Sequence, residues 1–314
     1  MHTKESEIVA GVHRILDQVR RVIIGKDEAL LWVLAAILAR GHILLEDVPG
    51  VGKTSMALCF ARVLELEYGR IQFTPDVLPS DIVGYSIPDA QGNMVYRPGG
   101  IQCNLFLADE LNRANARTQS ALLEAMEEGQ VTVDGVRHSL PQPFFVIATQ
   151  NPTGAPGTQA LPDSQLDRFI LRLRLGYPAP RDEAAMLKSR QQSRQPVCPV
   201  LPRQRLCQMQ QQVADTFLSD SVIAYMVSLV DATRSSEWLF RGASPRATLS
   251  LAAMAKSIAQ LRGRDYVVPG DVKEVFLPTL SHRLLLSGRA EGQGKTTQQV
   301  LQGILEAVPT PKLR

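Results

Sequence analysis

Residues His42 to Thr54 join a short apolar run to a Gly-rich turn that opens on Lys-Thr. This is the sequence form of a phosphate-binding loop. Backbone N–H groups of the turn and the positive end of the following helix wrap phosphate oxygens. Lys53 reaches the terminal phosphates, and the Thr54 hydroxyl faces Mg²⁺. The binding set read here is Pro49, Gly50, Val51, Gly52, Lys53, Thr54 and Ser55. Gly50 and Gly52 carry no Cβ, so the main chain itself can approach the ligand. One position departs from the G-x-x-x-x-G-K-[ST] pattern: Asp47 stands where its first Gly is expected, which should narrow the backbone angles open to the start of the loop. A Gly-rich turn with no ligand is the competing reading, and the intact half from Gly50 to Thr54 weighs against it.

A second set of residues could turn binding into hydrolysis. Leu105 to Glu110 is an apolar strand ending in two carboxylates. Asp109 would help to hold Mg²⁺ opposite Thr54, making these two the metal-site pair. Glu110 would act as general base on the attacking water. Phe145 to Asn151 is another apolar strand, ending in an amide that could position the water or the γ-phosphate, or could equally satisfy neighbouring backbone. Arg168 lies between a short helix and the last strand, and Arg246 follows Ser244-Pro245, a cap and first-turn pair. Phosphoryl transfer builds charge that an arginine from another segment or subunit can neutralise, although an arginine near a helix start is commonly just solvated.

Such residues need strands whose ends converge. Residues 6–20 carry apolar positions at helical spacing, and a second apolar helix runs to about Arg40. Helices are expected at Gly52–Leu66 and Thr118–Glu128, and strands at Tyr68–Phe73, Asn104–Glu110, Phe144–Thr149 and Phe169–Leu175. The alternation predicts a parallel sheet covered by helices on both sides. Two insertions break it: about 74–103, whose centre reads as two short strands, and about 130–140, a hairpin around Asp134-Gly135. The polar, Pro-containing stretch Arg181–Arg205 reads as a boundary or connector. Beyond it only helices are expected, at Leu206–Leu218, Val222–Thr233, Pro245–Leu261, Val272–Leu280 with Asp271 as its cap, and Thr296–Ala307. Gly292 to Thr297 imitates half a phosphate loop but follows a helical pattern, so it reads as the capped start of the last helix. The expected division is a nucleotide-binding core over 1–180 and an all-helical second domain over 181–314.

Composition narrows the class. The 314 residues are 45% hydrophobic and 21% charged, ordinary for a globular chain, with a net charge of +3 and 5% aromatics. No run of like charges or aromatic platform points to nucleic acid. The hairpin tip 133–138 carries one acid, one base and a His, whereas phosphate-tracking loops ought to be basic. The longest apolar stretch, Ala29 to Ala39, is too short to span a bilayer, and the polar N-terminus is no secretory signal. Four cysteines without a CxxC pair and five histidines without metal-ligand spacing suggest reduced thiols and a cytoplasmic protein.

These motifs, in this order, resemble the MoxR family of AAA+ ATPases. The resemblance is carried by Gly41–Thr54, Ile71–Ile82, Asp109–Arg113, Thr118–Gly135, Ala148–Pro152, Gln165–Phe169 and Ser244–Ala247. It implies an ATP hydrolase with a P-loop α/β core and a small helical lid, assembled as a hexameric ring with sites between subunits. It implies that Asn151 is sensor 1, Arg168 the trans-acting arginine finger and Arg246 the sensor 2 arginine of a lid that closes on the core. Val22, Ile23, Ile24 and Gly25 resemble the segment lining the adenine pocket, and the two insertions resemble the helix-2 insert and pre-sensor-1 hairpin. A chaperone-like role follows, in remodelling, assembly or cofactor insertion of a client, with a von Willebrand factor A domain protein as partner. The loop Pro152–Ser164 departs from the family pattern. A nucleic-acid translocase and a slow nucleotide-gated scaffold are the alternatives.

Overall fold

The computed structural model describes residues 7–48, 50–151, 158–191 and 197–312. Pro49 and residues 152–157, part of the divergent loop, lie outside the described residues. In chain order the elements are α1 (Glu7–Arg20), α2 (Asp27–Leu38), β1 (His42–Glu46), α3 (Lys53–Val63), β2 (Tyr68–Gln72), α4 (Pro79–Val83), β3 (Tyr85–Pro88), β4 (Met94–Arg97), β5 (Leu105–Asp109), a 3₁₀ turn (Leu111–Arg113), α5 (Ala116–Glu128), β6 (Gln130–Val133), β7 (Val136–Ser139), β8 (Phe145–Gln150), α6 (Asp163–Leu166) and β9 (Phe169–Leu173). Then come α7 (Pro180–Gln191), α8 (Arg203–Ala214), α9 (Asp220–Arg234), β10 (Leu239–Arg241), α10 (Pro245–Leu261), α11 (Pro269–Leu280), β11 (Leu285–Leu286), α12 (Gly288–Gly292) and α13 (Thr297–Ala307).

Five strands pair in the order β2-β5-β8-β1-β9, all parallel. The inner strands β5 and β8 are buried along their whole length, as a sheet covered on both faces requires. Side chains alternate along each strand and so feed two cores. Ile43, Leu45, Leu105, Leu107, Phe145 and Ile147 face one core; Leu44, Phe106, Ala108, Val146 and Ala148 face the other. The first core also takes in α1, α2 and α3 and the buried faces of α8 to α11 and α13, so the C-terminal helices share apolar packing with the N-terminal ones. The second is closed by α5, through Leu122, Leu123, Ala125 and Met126.

Three local readings need correction, and a fourth gains an element. The supposed connector over 181–205 contains α7, begun by Pro180 with Asp182 and Glu183 in its first turn, a helix start that the polar composition obscured. The C-terminal part is not all helical, because β10 and β11 pair antiparallel. Asp271 does not cap a helix from outside. The helix starts at Pro269, and the Asp271 carboxylate reaches back to accept from the Val268 N–H at 2.9 Å. The first insertion contains the short α4 before its two strands. Both hairpins form, and Tyr96 of one stacks on His138 of the other with ring centroids 3.7 Å apart. Ser244 caps α10 and Thr296 caps α13.

Candidate active site

In a parallel sheet every strand delivers its C-terminal end to one edge. Register pairs Glu46 with Gln150, and Gln72 with Asp109, on that edge. The loop after β1 turns there through Gly50 (φ +88°) and Gly52 (φ +98°) before α3. A Cβ on either would meet nothing within 4 Å, so glycine is required by backbone angle and not by crowding. No side chain caps α3, which leaves its first N–H groups turned outward as donors. Asp47 does not take up a positive φ, so it occupies the start of the loop without backbone strain. Its carboxylate accepts from the Val48 N–H at 3.0 Å and from the Gly176 N–H at 2.5 Å, pinning the start of the loop to the chain leaving β9.

The Lys53 ammonium is buried and donates to the Asp47 carbonyl at 2.5 Å, with the Gln150 carbonyl at 3.5 Å. Burial lowers its pKa from the ordinary lysine value, against the upward pull of Asp47, Asp109 and Glu110. Across the cleft, Asp109 Oδ1 accepts from the Thr149 hydroxyl at 2.7 Å. Its Oδ2 accepts two bonds from Arg70, at 2.8 and 3.2 Å, and lies 3.5 Å from the Thr54 hydroxyl. Glu110, held at φ +58°, donates its N–H to the same Thr149 oxygen at 2.8 Å. Its Oε1 accepts from Asn151 at 3.2 Å and its Oε2 from Arg113 at 2.9 Å. Asn112 bonds the Asn151 main chain on both sides, at 3.3 and 3.1 Å.

A cavity of about 270 Å³ opens between these groups, lined by Gly50, Gly52, Lys53, Thr54, Ser55, Asp109, Glu110 and Asn151. The donor set around Thr54 and Asp109 is hard oxygen, suited to Mg²⁺, and the Arg70 guanidinium already supplies a positive charge at Asp109 Oδ2. Among the described residues no group of three or more His, Cys, Asp or Glu side chains could hold a metal ion. Val51 is half-buried against the first core. Val22 to Gly25 do not line this cavity. Gly25 lies against Asp182, and next to it Lys26 donates to the carbonyls of Leu175, Gly176 and Tyr177 at 2.6 to 3.0 Å. Gly176 is the residue that Asp47 grips, so the segment abuts the phosphate loop through that linker.

Arg168 and Arg246 are not here. Arg168 precedes Phe169, which pairs with His42 at the N-terminal edge of the sheet. It donates to Glu127 at 2.9 and 3.0 Å and to the Ser164 carbonyl at 2.8 Å. Arg246, from the start of α10, pairs with the other oxygen of the same Glu127. A five-residue strand separates the two edges by roughly 16 Å. The cavity therefore gathers the Gly50–Ser55 loop, two carboxylates and the Asn151 amide, and neither Arg168 nor Arg246 lines it.

Arg70, Arg113, Thr149 and Glu127 escaped the sequence reading. Arg113 lay inside the family-like run Asp109–Arg113, and Thr149 precedes the strand-end amide, so both carried a positional signal. Glu127 lay inside the family-like run Thr118–Gly135 in the same way, whereas Arg70 carried no signal.

A parallel sheet with a phosphate loop, an acidic strand end and an appended helical segment defines a P-loop nucleotide hydrolase. The family model "ATPase family associated with various cellular activities (AAA)" matches residues 42–171, and the model "AAA lid domain" matches residues 231–304. The chain is 43% identical to the uncharacterised protein YeaC of Bacillus subtilis, over 96% of this chain and 95% of that one. It is 39% identical to Chaperone MoxR1 of Mycobacterium tuberculosis, over 98% of this chain and 85% of that one. A crystal structure assigned as an ATPase from Cytophaga hutchinsonii superposes with a TM-score of 0.90 at 36% identity, covering 97% of this chain and 96% of the other. The chain belongs to the MoxR family of AAA+ ATPases, and it is an ATP hydrolase.

Proposed function

We propose that ATP lies with its phosphates in the Gly50–Thr54 loop, that Thr54 and Asp109 hold Mg²⁺, and that the site is finished by Arg168 and Arg246 of an adjacent copy in a hexameric ring. The supporting observation is the separation just described: both arginines sit on the sheet edge opposite Lys53, Asp109 and Glu110, gathered on one carboxylate. Mg²⁺, when bound, neutralises phosphate charge and orients the β- and γ-phosphates. Ser55 and the backbone N–H groups of 50–54 grip the phosphates, with Lys53 exchanging its carbonyl partners for phosphate oxygens. Glu110, released from Arg113, then accepts the proton of a water that Asn151 orients, as the water oxygen bonds the γ-phosphorus and the bond from that phosphorus to the ADP oxygen breaks. Val22–Gly25 cover the base of the nucleotide, beside Gly176.

Arg246 thus acts with Arg168 on the neighbour, and not by closing on its own cavity. The division into a core over 1–180 and a lid over 181–314 belongs to this reading, with the lid carrying Arg246 to the subunit boundary. Turnover changes the geometry between subunits and moves the two stacked hairpins against a client protein. The client is remodelled, assembled or loaded with a cofactor, in concert with a von Willebrand factor A domain partner. The resemblance to MoxR proteins supports that role, and the four cysteines, none in a disulfide, are consistent with a cytoplasmic setting. Among the described residues no helix is long and apolar enough to cross a membrane. The hairpin tips carry no basic tract that would favour nucleic acid.

Glu110→Gln should abolish turnover while leaving binding of a fluorescent ATP analogue within about threefold. Undiminished turnover would remove Glu110 from the role of base. Mixing Arg168→Ala protomers with Glu110→Gln protomers should restore activity above either alone, because some junctions then pair an intact base with an intact arginine. No restoration would refute the shared site.

A further inference from the structure

The residue before Arg168 ties the two arginines together. Asp167 Oδ1 accepts from Arg283 at 3.0 Å, and the Ser244 hydroxyl stands 3.0 and 2.9 Å from its two carboxylate oxygens. Ser244 is the N-cap of α10, accepting from the Ala247 N–H at 3.2 Å, and Arg246 lies two residues further on. Arg283 is 4% exposed, and it donates also to the Phe169 carbonyl at 2.7 Å and to Ser250 at 2.9 Å. His282 Nε2 donates to that same Phe169 carbonyl at 2.9 Å. Residues on both sides of Arg168 are therefore held from the C-terminal segment, and the helix that carries Arg246 is held by Asp167.

We propose that Asp167, with Ser244 and Arg283 as its partners, is a positioning residue that sets Arg168 and Arg246 as one rigid pair for delivery to the adjacent subunit's site. The inference rests on the shared-site reading above. Burying a guanidinium is costly, and a hydrophobic replacement of a buried ion pair is often no less stable. Glue between segments alone would not call for a charged cluster with its oxygens directed at a helix start. Geometric specificity does, since a misplacement of about 1 Å can cost on the order of 100-fold in rate. Burial brings the Arg283 pKa down to about 10, with Asp167 opposing that shift, so the guanidinium stays charged at neutral pH. Glu127 is the resting partner of the pair; Asp167 is what keeps both arginines in the same place when they leave it.

The test is a set of mixed assemblies. Asp167→Asn should bind the fluorescent ATP analogue within about threefold of the unaltered protein, because its own phosphate loop is untouched, while turnover falls at least about tenfold. Mixed with Glu110→Gln it should recover activity several-fold above the sum of the parts, since its own base and loop then meet intact arginines from the neighbour. Mixed with Arg168→Ala it should recover nothing, because both copies fail as arginine donors. Recovery in that last mixture would place the defect in the Asp167→Asn protomer's own site and overturn the proposal, as would unchanged turnover. The Arg168→Ala with Glu110→Gln mixture is the control: its failure condemns the shared site itself, whereas its success with the wrong Asp167→Asn pattern condemns only the positioning role. Ser244→Ala, which removes one hydroxyl, should show the same pattern at smaller amplitude and carries the test if Asp167→Asn does not fold.

Discussion

His42 opens β1, the strand that ends at the phosphate loop, and both its ring nitrogens are used. Nδ1 accepts from the Val146 N–H at 2.9 Å, and Nε2 lies 3.0 Å from the Met126 carbonyl, to which it donates. That arrangement demands the neutral ring, and burial brings the pKa down from 6.5 to about 4, only partly offset by the Met126 bond. The sign follows from linkage. With the folded pKa depressed, the unfolded chain takes up the proton first, so stability is complete above about pH 6.5 and declines as pH falls toward 4. A difference of roughly 2.5 pH units corresponds to at most about 3.4 kcal/mol. His42 keeps a partly exposed edge, so solvent screening reduces the expected loss to about 2 kcal/mol. His42→Gln retains a donor and an acceptor without titrating. Urea unfolding of both proteins between pH 7.5 and 4.5 should show the variant losing less stability by about that amount, other titrating groups cancelling in the difference. Parallel stability profiles, or a His42 ring titrating near 6.5 by NMR, would refute the reasoning. Protonation at Nδ1 sets a ring N–H against the Val146 N–H and leaves the Met126 bond in place, so the acid effect falls on β8.

Thr149→Val deletes the one hydroxyl that bonds both carboxylate residues, and kcat should fall about 10- to 100-fold with little change in nucleotide affinity; steady-state kinetics showing unchanged kcat would count against it. Asp271 is fully buried and bonded to Arg262, Arg264 and the Val268 N–H, so Asp271→Ala should cost about 3 kcal/mol in a denaturation experiment, and an unaltered midpoint would be the contrary outcome. Asp47→Ala should leave the loop's backbone intact but free the Gly176 amide, speeding its hydrogen exchange by about tenfold or more; unchanged exchange would show that the Asp47 contact does not hold the linker.

The chemistry legible from residue order was the chemistry carried by short segments. A phosphate loop is one strand, one turn and one helix start, and its geometry is set by residues within a dozen positions of each other. The acidic strand end and the amide strand end were legible for the same reason, because a parallel sheet gathers all such ends along one edge. Apolar runs placed the strands, and two hairpins announced themselves by turn residues. Where local signals were mixed the reading slipped: α7 hid in polar composition, and two strands of two and three residues in the C-terminal segment are too short to show a period.

What only the tertiary structure decided is which groups face one another across long separations. Arg70 meets Asp109 because β2 lies beside β5, and no spacing rule expresses that neighbourhood. Glu127 collects Arg168 and Arg246 because α5 runs back across the sheet, so that its end lies beside the start of β1 and β9. Asp47 looked like a defect in a motif until the fold brought the Gly176 amide to it. Amino-acid order alone thus identified the nucleotide chemistry, since that is built from contiguous backbone. The location of the arginines, a strand's length away on the far edge, arose from packing between segments distant in the chain, where many side chains of suitable type compete and burial selects among them.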